Sequence, residues 1–203
     1  MDQHFYDLEV MNPNQGRLVE FTRPNDVRWS GVVELLPGQV FATSSGRRTD
    51  VYVLHGEVIR DNGEVTAIGD FLSIYDDIEL KGAFGGAVLL VYREPVTERR
   101  ALLNSPAAER SWRPARIPGM HVASLTAADY QLALFHWGPD IYVPPHTNPY
   151  GEELFVLSGK LHVNDSALPA GSWLRLGAGE RHDSGSDQAA LILLRSGHLV
   201  PLQ

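Results

Sequence analysis

His146-Thr147-Asn148-Pro149-Tyr150-Gly151-Glu152-Glu153-Leu154-Phe155-Val156-Leu157-Ser158-Gly159 carries a histidine, an asparagine and two adjacent carboxylates into an apolar run that stops at a glycine. The polar half reads as a turn and the apolar half as a strand. Ligand-type side chains set at the root of a strand are held still and aimed into a space walled by apolar groups. Metal sites are built this way. Further on, Gly171-Ser172-Trp173-Leu174-Arg175-Leu176-Gly177-Ala178-Gly179-Glu180-Arg181-His182 gives a second strand, a glycine turn and another histidine.

Outward from this stretch, apolar residues recur with period two rather than 3.6. Strands are expected over Trp29–Leu36, Val51–Leu54, Glu57–Arg60, Phe71–Tyr75 and Val88–Tyr92. Pro37-Gly38 ends the first. Asp61-Asn62-Gly63 follows the third as a hairpin turn, with Asn-Gly supplying positive φ angles. The glycine-rich Gly82–Gly86 sits between strands and reads as a turn, not as a phosphate loop before a helix. Short strands split by Gly and Pro predict an all-β sandwich or barrel.

The two halves repeat. Asp50–Gly56 aligns with Glu153–Gly159 at an offset of 103, and Gly69–Leu72 with Gly171–Leu174 at 102. Leu89–Arg93 aligns with Leu191–Arg195, again at 102. A near-constant offset marks a tandem duplication. The chemistry is not duplicated: His146, Asn148, Glu152 and His182 fall on Thr43, Ser45, Thr49 and Leu80, so any pocket of the first copy is expected to be metal-free. The expected division is a first copy over 1–94, a linker over 95–118 rich in proline and charge, and a second copy over 119–203. A short helix is drawn over Val96–Asn104.

The chain has 203 residues, a net charge of −8 and no cysteine. Its length suits one large domain or two of about 100 residues, each able to bury its own core. Without cysteine there are no disulfides, thiolate metal sites or cysteine nucleophiles. An acidic chain without a basic cluster repels phosphate backbones, so nucleic acid is not an expected partner. No apolar run is long enough for a membrane span and no signal segment is visible, which predicts a cytoplasmic protein.

The paired motifs resemble those of the cupin superfamily. Its first motif is His-x-His, three or four residues, Glu, six residues and Gly; here His146-x-Asn148, three residues, Glu152, six residues and Gly159 stand in that order. The second, Gly-x5-Pro-x-Gly-x2-His, is matched by Gly171, Gly179 and His182, with Gly177 in the proline position. The phrasing Pro149–Gly159 is most similar to the cupin-like domain of ChrR-type proteins, and the resemblance covers roughly Gly138 to Leu199. It implies two tandem cupin barrels, each a double-stranded β-helix or jelly roll.

The resemblance also implies one divalent transition metal (Zn, Fe, Mn or Ni) held by His146, Glu152 and His182, with Asn148 as a weak fourth ligand in a histidine position. A 2-His-1-carboxylate set leaves open positions for water or substrate. Neighbours on a strand point to opposite faces, so Glu153 points away if Glu152 points in. Tyr150, Trp173 and Arg175 are candidates for the pocket mouth, with Glu153 and His136 beside it. Each also has an ordinary reading as a packing or surface residue. His162 reads as a structural strand histidine, and His4, His55, His121 and His198 carry no spacing signal. No catalytic group beyond the ligands can be named. Two functions are expected: a metal-dependent, dioxygenase-like enzyme acting on a small molecule, or a non-enzymatic metal-holding sensor or small-ligand-binding module of ChrR type. The anti-sigma role of ChrR proteins does not carry over, because its zinc domain needs cysteine. The two barrels are expected to pair within the chain, which is compatible with a homodimer.

Overall fold

Alternating apolar residues become strands through nearly the whole chain, and among the described residues there is no α-helix. The computed structural model describes residues 1–8, 16–23, 26–96, 100–126 and 131–199. The chain forms two units: Glu9–Arg110, and Met1–Leu8 together with Ser111–Gln203.

β1 (Asp2–Phe5) belongs to the second unit. The first unit holds β2 (Leu18–Glu20), β3 (Trp29–Leu35), β4 (Val40–Ala42), β5 (Arg47–Arg60), β6 (Val65–Ala67), β7 (Phe71–Ile74), β8 (Glu79–Pro95) and β9 (Leu103–Ser105). These hydrogen-bond in the order β2-β3-β8-β5-β7-β9, with β4 on β8 and β6 on β5. Val51, Val53, Leu72, Leu89 and Val91 are fully buried in its core.

Two strands expected as separate runs are one: β5 continues from Arg47 to Arg60 through irregularities at Val53/His55 and Gly56/Val58. Gly82–Gly86 is not a turn but lies inside β8, opposite that bend. Glycine is needed there because a Cβ at Gly82 would stand 2.5 Å from the Leu36 carbonyl oxygen. The hairpin after Arg60 forms, but Gly63 alone takes positive φ. Asn62 instead accepts the Glu64 amide on its side-chain oxygen at 3.0 Å. The stretch read as a linker is partly sheet, since extended backbone satisfies its amides on a strand edge. Leu103–Ser105 pairs with β7, so the helix drawn to Asn104 is a strand at its end; residues 97–99 of it lie outside the described residues.

The second unit contains β10 (Arg113–Pro114), β11 (Met120–Ser124), β12 (Gln131–Trp137), β13 (Ile141–Thr147), β14 (Glu152–Ser158), β15 (Lys160–Val163), β16 (Ser166–Pro169), β17 (Ser172–Leu176), β18 (Arg181–Ser186) and β19 (Ala190–Ser196). One sheet runs β1-β17-β14-β19-β12-β11-β10, the other β13-β18-β15-β16. Val156, Leu161, Val163, Leu168 and Leu174 are fully buried in its core.

The two units share features of hydrogen-bond register. Val51 pairs with Val91 and Leu154 with Leu194, both related by 103. The irregularity at Val53/His55 recurs at Val156/Ser158. Just beyond each, Gly56 and Gly159 have φ of 69° and 75°. A Cβ at either would lie 2.2 Å from a carbonyl oxygen, of Gly86 and of Ala189. Only glycine tolerates that approach.

Candidate functional site

β13 opens with Ile-Tyr-Val and then Pro144-Pro145. Proline has no N–H, so the ladder to β18 breaks between Val143 and His146. Pairing resumes with His146 directly across from His182. Their rings lie 4.3 Å apart. Glu152 begins β14 in the other sheet of the unit, and its Oε1 comes within 2.8 Å of His182 Nε2.

Both histidines are fixed from behind. His146 Nδ1 lies 3.1 Å from the Pro144 carbonyl oxygen and His182 Nδ1 lies 3.2 Å from that of Glu180. A carbonyl only accepts, so each Nδ1 donates and each neutral ring presents the lone pair of Nε2. The buried His182 Nε2 has no hydrogen-bond partner of proper geometry despite its closeness to Glu152. Burial lowers the His182 pKa, but the Glu152 carboxylate and the Glu180 carbonyl and side chain raise it further, leaving it above the ordinary value.

Asn148 turns its amide nitrogen to Glu152. Its Nδ2 donates to Glu152 Oε2 at 2.6 Å, so the side chain steadies the carboxylate. Its backbone oxygen accepts the amides of Gly151 at 3.1 Å and Gly179 at 2.9 Å. One residue thus ties the first turn to the second.

These groups line a cavity of about 160 Å³. His146, Glu152, His182 and Ser184 give it one polar side, and Met120, Trp137, Leu154, Leu161 and Ile192 wall the rest. Ser184 and Trp137 escaped the sequence reading. The alternation placing Ser184 on the face of His182 was readable, but nothing marked β18 as a strand. Among the described residues no group of three or more His, Cys, Asp or Glu side chains is gathered as a ready-made metal cluster. The tight pair is Glu152 and His182, with His146 alongside.

The other candidates lie away from the cavity. Glu153, on the opposite face of β14, is fully buried rather than solvated. Arg175 Nε donates to its Oε1, Arg195 Nη1 to its Oε2 at 3.4 Å, and His198 Nε2 stands 3.4 Å from Oε2. Burial pushes the Glu153 pKa up, but His198, Arg175 and Arg195 hold it well below the carboxylate range. Trp173 is buried on that same side, under Arg175 and beside His4. Tyr150 is exposed. His136 is exposed and sits across from His121 on β11. His162 meets Asp187 at 2.9 Å.

Residues 103–200 match the family described as the ChrR Cupin-like domain. That segment carries a cupin-like sequence. Solved cupin-fold structures agree with the chain over most of its length. A Leptotrichia buccalis "Cupin 2 conserved barrel domain protein" is 18% identical with a TM-score of 0.63, covering 89% of this chain and 88% of that one. A Pseudomonas aeruginosa protein, provisionally named as glyoxylate-induced, is 12% identical with a TM-score of 0.75, covering 92% and 80%. Bacillus subtilis oxalate decarboxylase, described with Mn(II) centres, is 12% identical with a TM-score of 0.60, covering 88% and 71%. At these identities the cupin structures show fold alone. Among curated proteins none matches. No helix of the described residues is long and apolar enough to cross a membrane.

Proposed function

We propose that the chain is a tandem pair of cupins whose second copy binds one divalent transition metal and, beside it, a small and mostly apolar molecule. The observation that carries this reading is the face-to-face placement of His182 Nε2 and Glu152 Oε1. Both His Nδ1 atoms are committed to carbonyls, so a lone pair and a carboxylate oxygen stand 2.8 Å apart in a buried site. Such a pair needs a cation between or beside its members, whether a proton or a metal ion. The donors fit a metal chemically: two imidazoles and one carboxylate, with both rings oriented by backbone carbonyls.

In this reading His146, Glu152 and His182 hold the ion, and Asn148 keeps Glu152 in place. A bound ion would supply Lewis-acid polarisation of a ligand oxygen. The apolar walls exclude water and limit the ligand to a few heavy atoms. The oxygenase form of the reading adds only that the ligand is oxidised there, and oxygen uptake with a small diketone separates it from plain binding.

The test is metal content. Purified full-length chain, loaded with Mn²⁺, Ni²⁺ or Zn²⁺ and freed of excess, should retain one equivalent. His182→Ala and Glu152→Gln should retain none while keeping the circular dichroism of the parent. Two equivalents per chain, or retention unchanged in both variants, would refute the assignment.

A further inference from the structure

The first unit keeps the register of the second but carries different chemistry at the corresponding place. Thr49 pairs with Arg93 where Glu152 pairs with Ser196. Ile78, across from Thr43 as His182 is across from His146, packs against the core, so it, and not Leu80 at the sequence offset, takes the place of His182. The Thr43 hydroxyl, at that of His146, donates to the Asp76 carbonyl at 2.6 Å. No ligand set remains there, yet the unit contains a cavity of about 470 Å³, within the usual range of small-molecule sites. Trp29, Val33, Leu35 and Phe41 form an apolar wall, and Arg47 and Arg93 line the same space. Leu18 and Val40, 56% and 42% exposed, stand at its rim, so it opens to solvent.

The charges in this cavity are unevenly matched. Glu34 accepts from Arg17 at 2.9 Å, and Glu20 accepts the Trp29 indole N–H at 2.9 Å. Among the described residues neither Arg47 nor Arg93 has a carboxylate partner. Arg93 lies over the Phe41 ring at 4.5 Å and gives one N–H to the Ala42 carbonyl at 3.0 Å. Its Nε is buried and has no hydrogen-bond partner. Burial, and then the like charge of Arg47, lower its pKa from the usual guanidinium value. Two neighbouring guanidinium groups, one with an unused buried donor, are relieved together by a single anion. Carboxylates match the guanidinium fork.

We propose that the first unit's cavity binds a small carboxylate with an apolar body, its charge held by Arg93 and Arg47 and its body against Phe41 and Trp29. This site is separate from the metal reading of the second unit and does not depend on it.

The full-length chain is titrated with benzoate, phenylacetate and hexanoate and with the three matching amides, by calorimetry and ligand-detected NMR. At least one acid should bind at millimolar concentration or better, with its amide about tenfold weaker or more, the loss expected for a charge-assisted contact. Arg47→Gln and Arg93→Gln should each weaken the acid by about tenfold, with Arg93→Lys intermediate. Should Arg93→Gln fail to fold, Arg47→Gln and the acid–amide comparison still decide, because Arg47 is at the surface. No binding of any acid, or equal binding of acid and amide, would overturn the proposal. So would acid binding that survives both arginine changes and disappears in His182→Ala, which would put the acid in the second unit's cavity.

Discussion

Glu152 and Glu153 are adjacent in sequence and both buried, yet their carboxylates lie on opposite faces of β14 in opposite chemical settings. Glu152 meets His182 at the cavity, and Glu153 is enclosed by Arg175, Arg195 and His198. The strand's alternation forces the split. The two should therefore respond differently to the same isosteric change.

Glu153→Gln should be strongly destabilising, by about 3–5 kcal/mol, because it leaves the Arg195 guanidinium buried without its counter-charge. Glu152→Gln should cost much less stability and act on ligand binding instead. Urea denaturation of the two variants checks the order. Equal losses would mean that Glu153 is not the structural member of the pair.

Asn148→Ala should lower metal affinity by about 10–100-fold, the usual cost of losing a group that orients a ligand. The turn itself should persist, since the bonds from Gly151 and Gly179 go to the Asn148 backbone oxygen. Chelator competition gives the affinity. An unchanged value would show that the amide does not position Glu152.

Gly159→Ala and Gly179→Ala should separate backbone strain from collision. Both have φ near +75°, at 75° and 74°. A Cβ at Gly179 meets nothing within 4 Å, whereas one at Gly159 meets the Ala189 oxygen at 2.2 Å. Gly179→Ala should cost about 1 kcal/mol for the left-handed conformation alone. Gly159→Ala should cost clearly more, and should broaden or abolish the cooperative transition in thermal denaturation. The reverse order would contradict the bulge geometry.

Deleting Met1–Tyr6 should loosen the second unit. β1 forms the edge of its larger sheet, pairing Asp2–Phe5 with Arg175–Ser172. The Tyr6 amide donates to the Gly171 carbonyl at 2.9 Å. Hydrogen exchange should accelerate over Ser172–Leu176 in the deleted chain. Unchanged protection would show that β1 adds nothing to that edge.

The sequence by itself determined the local layer of this protein. Period-two alternation is a property of neighbouring residues, and it made the all-β class and most strands legible. The spacing from His146 through Glu152 to His182 was legible for the same reason, because motif spacing is written along the chain. The tertiary structure decided what depends on partners distant in sequence. Only folding shows that Asn148 turns its amide to Glu152, that His198 closes over Glu153, and that β1 completes a sheet more than 160 residues away at Arg175. Gly82–Gly86 looked like a turn because glycine permits turns. It is strand because it pairs along β5, with Gly82 across from Val58, and residue 82 is glycine because the Leu36 carbonyl passes too close for any Cβ. The arginines of the first unit's cavity carried no motif either. Arg93 is brought to that cavity, opposite Thr49, only by the register of β5 and β8.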